Sequence, residues 1–387
     1  MNLPEYLAPE SFARAWAPEV PGPMQSPGPR HSPAPGAKEE RPGSSGIPIA
    51  ALMRAVWWSG DFHLNPATGQ PGKVRKRPVP SAGGCYPVQL HVLCGDGCDV
   101  PKGRYVISSS TGGLRRLAYD DEVHCDEVHH GAGSRQGVGN YRGTSGQPPE
   151  VGAVVVLTVL PQRTAAKYHH RTGPLLIADA AYAALALVHH ASALSVGANW
   201  KILSPGPWTA FPQETALACV ALGTSVPATG VAGVSTHQLA RRRSADVFAP
   251  RTTPRMSPAL DVRSMVAAAE RGIVPPKPAS CRMRLIDDAG LDDPLLAQHC
   301  AGQHWIRNLD ALLIFETETL PDLDAMWWAS ATAAHCLYTA LGTDVAIDFR
   351  PVGGWTSARG GWTALHGLGM LHQHTHHTNE RAVHAGQ

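Results

Sequence analysis

Lys167 and Tyr168 are adjacent, and they form the pair in this sequence best suited to moving a proton. A lysine partly removed from water can give up its proton and act as a base, and a neighbouring tyrosine hydroxyl can relay or orient. Alone, Lys-Tyr is a common dipeptide, and a solvated loop is the simpler account of it. A second stretch, Pro80-Ser81-Ala82-Gly83-Gly84, is a small-residue turn entering an alternating strand. Small residues let backbone amides approach a planar ligand, and the Ser81 hydroxyl offers a hydrogen bond. Arg75-Lys76-Arg77 and Arg241-Arg242-Arg243-Ser244 are basic clusters able to hold an anionic group, with a solvated basic patch as the alternative for each.

The elements that must position these residues leave clear signals. Residues 153–160 (AVVVLTVL) form a continuous β-branched apolar run, which predicts a buried strand. Residues 174–196 are rich in Ala and Leu, begin at a proline and stop at Gly197, which predicts a helix. That helix is apolar almost all round, so it belongs at the centre of the fold. A helix is expected at 47–58, a strand at 88–93 and a hairpin within 103–117. Residues 131–149 read as a mobile loop. Residues 18–48, rich in Pro, Gly and Ser, read as a flexible linker or a segment draped over the surface.

The second half repeats the pattern. Residues 311–317 (ALLIFET) mirror 153–160, and 324–341 mirror the central helix. The first copy runs 26 residues from Gly197 to Gly223, and the second runs 27 from Gly342 to Gly369. The strand-to-helix connection is longer in the first copy, where it carries the polar stretch 167–171 (KYHHR). Unequal connections suggest that one half kept or gained the chemistry.

Bulk properties set outer bounds. The 387 residues are 43% hydrophobic and 17% charged, enough for a large core and against disorder of the whole chain. A net charge of +2 from 33 basic and 31 acidic residues gives no case for nucleic acid or a membrane surface as partner. The longest apolar run, near 178–195, is broken by Asp179 and His189-His190 and is short of a membrane span. The N-terminus lacks a basic and apolar signal, so a cytoplasmic location is expected. The eight cysteines lack the paired spacing of a zinc site. The histidines at 371–384, and His124, His129 and His130, lack ligand spacing, and no metal is expected. Trp327, Trp328, Trp355 and Trp362 read as second-half core.

The stretch KRPVPSAGGCYPVQLHVL resembles the hallmark of SagB-type dehydrogenases, a branch of the nitroreductase superfamily. The resemblance spans roughly residues 47–225, and Lys167, Tyr168 and Arg171 match the family's KYxxR in order and spacing. Residues 240–248 (ARRRSADVF) are similar to the RRSxRxF start of a nitroreductase subunit, with Asp246 in place of the motif's later basic residue. The resemblance implies an α+β nitroreductase-like fold made of two tandem halves forming a pseudo-dimer, and FMN as cofactor. It implies FMN contacts from Arg77, Ser81, Ala82, Gly83, Gly84, Arg171, Asn199, Arg242, Arg243 and Ser244. Asn199 would reach the flavin ring edge or simply end a helix, and Arg171 would meet the phosphate, a substrate carbonyl or a structural carboxylate. Lys167 would be the base and Tyr168 its assistant.

The implied activity is oxidation of thiazolines or oxazolines in a ribosomally made peptide to thiazoles or oxazoles. The implied partners are a modified precursor peptide and a cyclodehydratase complex, with a second copy in a homodimer as an open option. The expected organisation is an N-terminal segment 1–48, a catalytic half 49–235, a degenerate half 236–372 and a His-rich tail 373–387. An NAD(P)H-dependent reductase of a small molecule is a second reading, and a non-catalytic scaffold subunit is a third.

Overall fold

The computed structural model describes residues 3–34, 36–64, 68–117, 152–208, 211–227, 229–242, 255, 273–343, 345–356 and 361–372. Expectations for 131–149, His124, His129, His130, Arg243, Ser244 and the tail 373–387 fall outside the described residues.

The fold is α+β. Seven strands form the first antiparallel sheet: β1 (Lys38–Glu39), β4 (Val88–Cys94), β5 (Gly103–Ile107), β6 (Leu114–Arg116), β7 (Ala153–Val159), β8 (Gly197–Trp208) and β9 (Phe211–Gly223). Their order across the sheet is β1-β6-β5-β4-β7-β9-β8. A short hairpin pairs β2 (Phe62–Leu64) with β3 (Pro71–Arg75). The second sheet has the order β10-β11-β13-β12, from β10 (Cys281–Asp287), β11 (Ala311–Thr317), β12 (Ile347–Val352) and β13 (Thr363–His372).

Helices lie against these sheets. They are α1 (Leu3–Leu7), α2 (Pro9–Arg14), α3 (Ile49–Trp57), α4 (Pro161–Tyr168), α5 (Thr172–Ala193), α6 (Thr236–Arg241), α7 (Pro294–His299) and α8 (Leu323–Gly342). Strong helix formers fill α5, and nearly every residue from Thr172 to Ala191 is buried. The stretch 161–193 has the length and apolarity of a membrane span, yet here it is enclosed by the protein's own elements. Ala183 and Ala184 are fully buried in α5, so a larger side chain at either would overpack the core at about 1–3 kcal/mol. The two long helices α5 and α8 pack against each other. His189 Nε2 lies 3.0 Å from His335 Nδ1 between them, and the His189 and Tyr338 rings sit 5.7 Å apart.

The order β4-β7-β9-β8 with α5 recurs as β10-β11-β13-β12 with α8. Each copy carries one register shift at the same step, between Leu157 and Thr158 in β7 and between Phe315 and Glu316 in β11.

Three local differences from the sequence reading concern the site. The polar stretch 167–171 is the end of α4 and a single 3-10 turn, because Pro161 starts a helix after β7. Asn199 lies inside β8 rather than in a helix-ending turn, since the chain goes straight into the strand at Gly197. Two helices, α1 and α2, precede the Pro-rich segment.

That segment is draped over the first half, not slack. Gln25 N donates to Ala166 O (2.7 Å), Arg163 Nη1 to Pro29 O (3.3 Å), Gln89 Nε2 to Arg30 O (3.2 Å) and Arg115 Nη2 to Ala37 O (2.6 Å). Three of these bonds run from side chains of the sheet and of α4 to carbonyls of the segment, which forms few ladder bonds of its own because its prolines lack N–H groups.

Candidate active site

The turn before β4 is built around a buried carboxyl. Ser81 Oγ donates to Asp179 Oδ2 (2.5 Å) and Ala82 N donates to Asp179 Oδ1 (3.0 Å). Ser81 Oγ also accepts from Tyr86 N (2.9 Å). The hydroxyl therefore ties the turn to α5, whereas the sequence reading gave it a role toward a ligand. Burial raises the Asp179 carboxyl to about 7, while the bonds from Ser81 and Ala82 and the charge of Arg77 pull it down.

Gly83 follows with φ +53°, a conformation that favours glycine. A Cβ there would overlap Tyr168 Oη and Lys167 Nζ. The ends of both side chains therefore rest on the glycine, and Lys167 Nζ donates to Gly83 O (3.4 Å). The two motifs, 84 residues apart at this bond, meet here. Lys167 is exposed, not partly desolvated as expected, because it sits on the outer face at the end of α4. Tyr168 is half-buried, and burial pushes its hydroxyl well above the ordinary range, so it is a neutral donor at physiological pH.

These residues line a cavity of about 830 Å³, within the range that holds a cofactor-sized ligand. Its wall comes from both halves of the chain. The first contributes the turn, α4 and α5, and the second contributes Gln303, Trp305, Arg350, Gly353, Gly354 and His366. Pro21 of the draped segment reaches the rim. Six cationic side chains line it, namely Lys76, Arg77, Lys167, Arg171, Arg242 and Arg350, against one carboxylate, Asp179, among the described residues. A near-neutral chain has thus concentrated positive charge around one cleft, an arrangement that favours an anionic ligand.

Not every cation points at the cavity. The Arg77 guanidinium lies 3.8 Å from the Trp57 ring centroid and donates to Val88 O (3.0 Å). Burial pushes its pKa down to about 9, and it stays charged at neutral pH. Arg171 Nη2 donates to Glu19 O (3.0 Å), which fastens the draped segment, and its buried Nε has no partner. Arg242 Nε donates to Pro78 O, and its buried Nη1 has no partner. His366 Nε2 lies 3.2 Å from Tyr182 Oη, its buried Nδ1 is unpartnered, and burial lowers its pKa to about 3. Buried polar atoms without partners are costly, and a polar ligand in the cavity would satisfy them.

Of the expected site residues, Arg77, Ser81, Ala82, Gly83, Gly84, Lys167, Tyr168, Arg171 and Arg242 line this one cavity. Asn199 does not. It lines a separate cavity of about 420 Å³ with Trp200 and Ile273, since β8 lies at the far edge of the first sheet. Arg243 and Ser244 lie outside the described residues. Asp179, Tyr182, Trp305, Arg350 and His366 also line the cavity and are not among the expected site residues. Only Asp179 left a signal, as the lone acid within an apolar helix.

No family model matches the chain, and no curated protein matches it. Solved structures do. A protein from Anabaena variabilis, designated a nitroreductase, overlays with a TM-score of 0.58 at 12% identity, covering 89% of this chain and 94% of its own. The fold is that of a nitroreductase. The Escherichia coli microcin synthetase McbBCD complex with truncated pro-MccB17 gives 0.32 at 16% identity, covering 57% of this chain and 87% of its own. The Vibrio harveyi NADPH:FMN oxidoreductase gives 0.26 at 15%, covering 35% and 67%. Those two overlaps add nothing to the fold argument, which rests on the first.

Within this nitroreductase fold the cavity fits FMN by its own chemistry. FMN is planar with a phosphate tail, and the cavity pairs a small-residue turn with buried, unpartnered guanidinium nitrogens on Arg171 and Arg242.

Proposed function

We propose that the protein is an FMN-dependent dehydrogenase that oxidises thiazoline or oxazoline rings in a ribosomally made peptide to thiazoles or oxazoles. One observation carries the reading. Lys167 and Tyr168 lie directly on the Ser81–Gly84 turn, in a cavity ringed by cations from both halves. Arg242 and Arg171 would hold the phosphate end, and Ala82 and Gly83 would offer backbone to the ring. Bound FMN would accept the hydride that leaves the azoline ring.

The protein's own residues handle the remaining proton. Aromatisation removes one carbon-bound hydrogen as hydride and one as proton. Lys167 takes the proton at Nζ once ligand and peptide have stripped its water. Tyr168, neutral and beside it, orients the Lys167 amine and the substrate. Pro21 and the draped segment narrow the mouth and exclude water from one side.

The proposed organisation is a fused pseudo-dimer of halves 49–235 and 236–372. The recurring strand order, with its register shift at the same step, supports it. The proposed partners are a precursor peptide and the cyclodehydratase that makes its azolines, with the cytoplasm as location; a homodimer is compatible with this organisation. The test is reconstitution. The purified chain should bind FMN tightly enough to survive gel filtration, and a chain that cannot be loaded with FMN would sink the reading.

A further inference from the structure

The recurring topology makes the two halves comparable residue by residue, and the comparison separates their cavities. Val159 and Thr317 are corresponding positions in β7 and β11, and they pair with Val88 and Cys281 respectively. Counting back from these strands sets Ser81 against Val274, Ala82 against Pro275 and Gly83 against Pro276. On the other wall, Leu222 of β9 corresponds to Met370 of β13; their partners are Ala198 and Phe349, so Arg350 corresponds to Asn199 and Pro351 to Trp200. The helices align through their matching final bonds, Val196 N to Ala191 O (2.9 Å) and Val345 N to Ala340 O (3.2 Å), which sets Asp179 against Trp328. In that alignment His189 matches Tyr338, and these two rings are in fact in contact, as a pair on a pseudo-twofold axis must be.

The cavity that contains Asn199 is then the pseudo-twofold mate of the large one. Each lies between the lead-in to the first strand of one half and the inner edge strand of the other. The small one is lined by Ile273, Val274 and Pro275 on one side and by Ala198, Asn199 and Trp200 on the other.

The residues that build the turn of the large cavity, the carboxyl that holds it and one of its cations are replaced in its mate. The Ser81 hydroxyl becomes the Val274 isopropyl group. The Ala82 amide becomes Pro275, which has no N–H, and Gly83 becomes Pro276, which cannot adopt positive φ. Arg350 becomes Asn199, and Asp179 becomes the buried Trp328. The Trp200 indole forms one wall and narrows the cavity to about 420 Å³, with Nε1 donating to Ile273 O (2.6 Å) and its ring 6.0 Å from that of Trp327. No charged side chain lines this cavity among the described residues, against six cations in the other.

We infer that the chain binds one flavin, in the cavity of Lys167, and that its pseudo-symmetric mate has been closed to flavin by Trp200 and the Val274–Pro276 substitutions. This rests on the FMN reading above. A site that in a symmetric arrangement would occur twice occurs once, so all turnover of the chain passes through one centre.

The test is flavin stoichiometry, read without any activity. Full-length chain is saturated with FMN, gel-filtered, denatured, and its released FMN counted against chain concentration. One FMN per chain is expected, and two would overturn the inference while leaving the FMN reading intact. None at all would overturn both. Trp200→Ala opens the small cavity without restoring its charge or turn, so the ratio should stay at one; a rise toward two would mean that the indole alone had closed the site, against the inference. Arg242→Ala should weaken the single site, and a variant that loses only half of a two-FMN load would also contradict it.

Discussion

Ser81 Oγ and Asp179 Oδ2 lie 2.5 Å apart, joining the turn before β4 to the middle of the central helix. The bond fixes where the backbone of Ala82 and Gly83 stands, and hence where Lys167 and Tyr168 can rest. A buried carboxyl with two donors is a stable arrangement, but either partner left alone in the core would be costly.

A double-mutant cycle on Ser81→Ala and Asp179→Asn tests that tie. The two changes should be non-additive, with a coupling of roughly 0.5–3 kcal/mol in unfolding free energy. FMN affinity should fall in both single variants and hardly further in the double. Additive losses would mean that the two residues act separately.

Gly83→Ala introduces a methyl group where Tyr168 Oη and Lys167 Nζ now sit, at a positive φ. The backbone term is about 1–2 kcal/mol. The larger effect is local, since both side chains must leave the turn. Turnover should fall by an order of magnitude or more, while circular dichroism stays native. A variant with wild-type turnover would remove the turn from the site.

Sequence and structure agree most closely where composition is extreme. The β-branched run of β7 and the Ala- and Leu-rich α5 announce themselves, because burial on every side demands apolar residues throughout. The repeat was legible for the same reason. The end of α4 was not, since PQRTAAKY is short and polar on average, and only Pro161 marks its start. Arg350 and His366 were invisible because alternation along β12 and β13 does not reveal which face meets a turn some 270 residues away in the chain. Asn199 was misplaced because Gly197 reads equally as a helix stop and as the first residue of a strand.

Arg242 lines the cavity, and its buried Nη1 has no partner. If it meets the phosphate, Arg242→Ala should weaken FMN binding by about 1.5–3 kcal/mol, the scale of a charged hydrogen bond. Titration of apoprotein by flavin fluorescence measures this, and the loss should shrink with inorganic phosphate present as competitor. Unchanged affinity would move the phosphate elsewhere.

The His189–His335 pair makes stability depend on acidity. Burial lowers His189 to about 3 and His335 to about 4, both below the unfolded value of about 6.5. The unfolded chain therefore binds protons first as pH falls, and stability declines from about pH 6.5 down to about 3. Asp179, raised to about 7, works in the opposite sense, favouring the fold at low pH and losing that contribution as pH rises toward 7. The difference between wild type and the His189→Gln, His335→Gln double variant isolates the histidines. The wild type should lose Tm relative to the variant between pH 7 and pH 5, whereas parallel curves would assign the acid response to other groups.

The central claim is azoline oxidation through Lys167. Its most direct test is a single turnover: FMN-loaded protein is mixed without oxygen with a thiazoline-bearing peptide. The flavin absorbance should bleach as the peptide loses two hydrogens by mass, and Lys167→Ala should slow both together by roughly 10²–10⁴-fold, the range of a lost general base. FMN-loaded protein that neither bleaches nor changes the peptide's mass, while consuming NADPH with a quinone instead, would contradict the account.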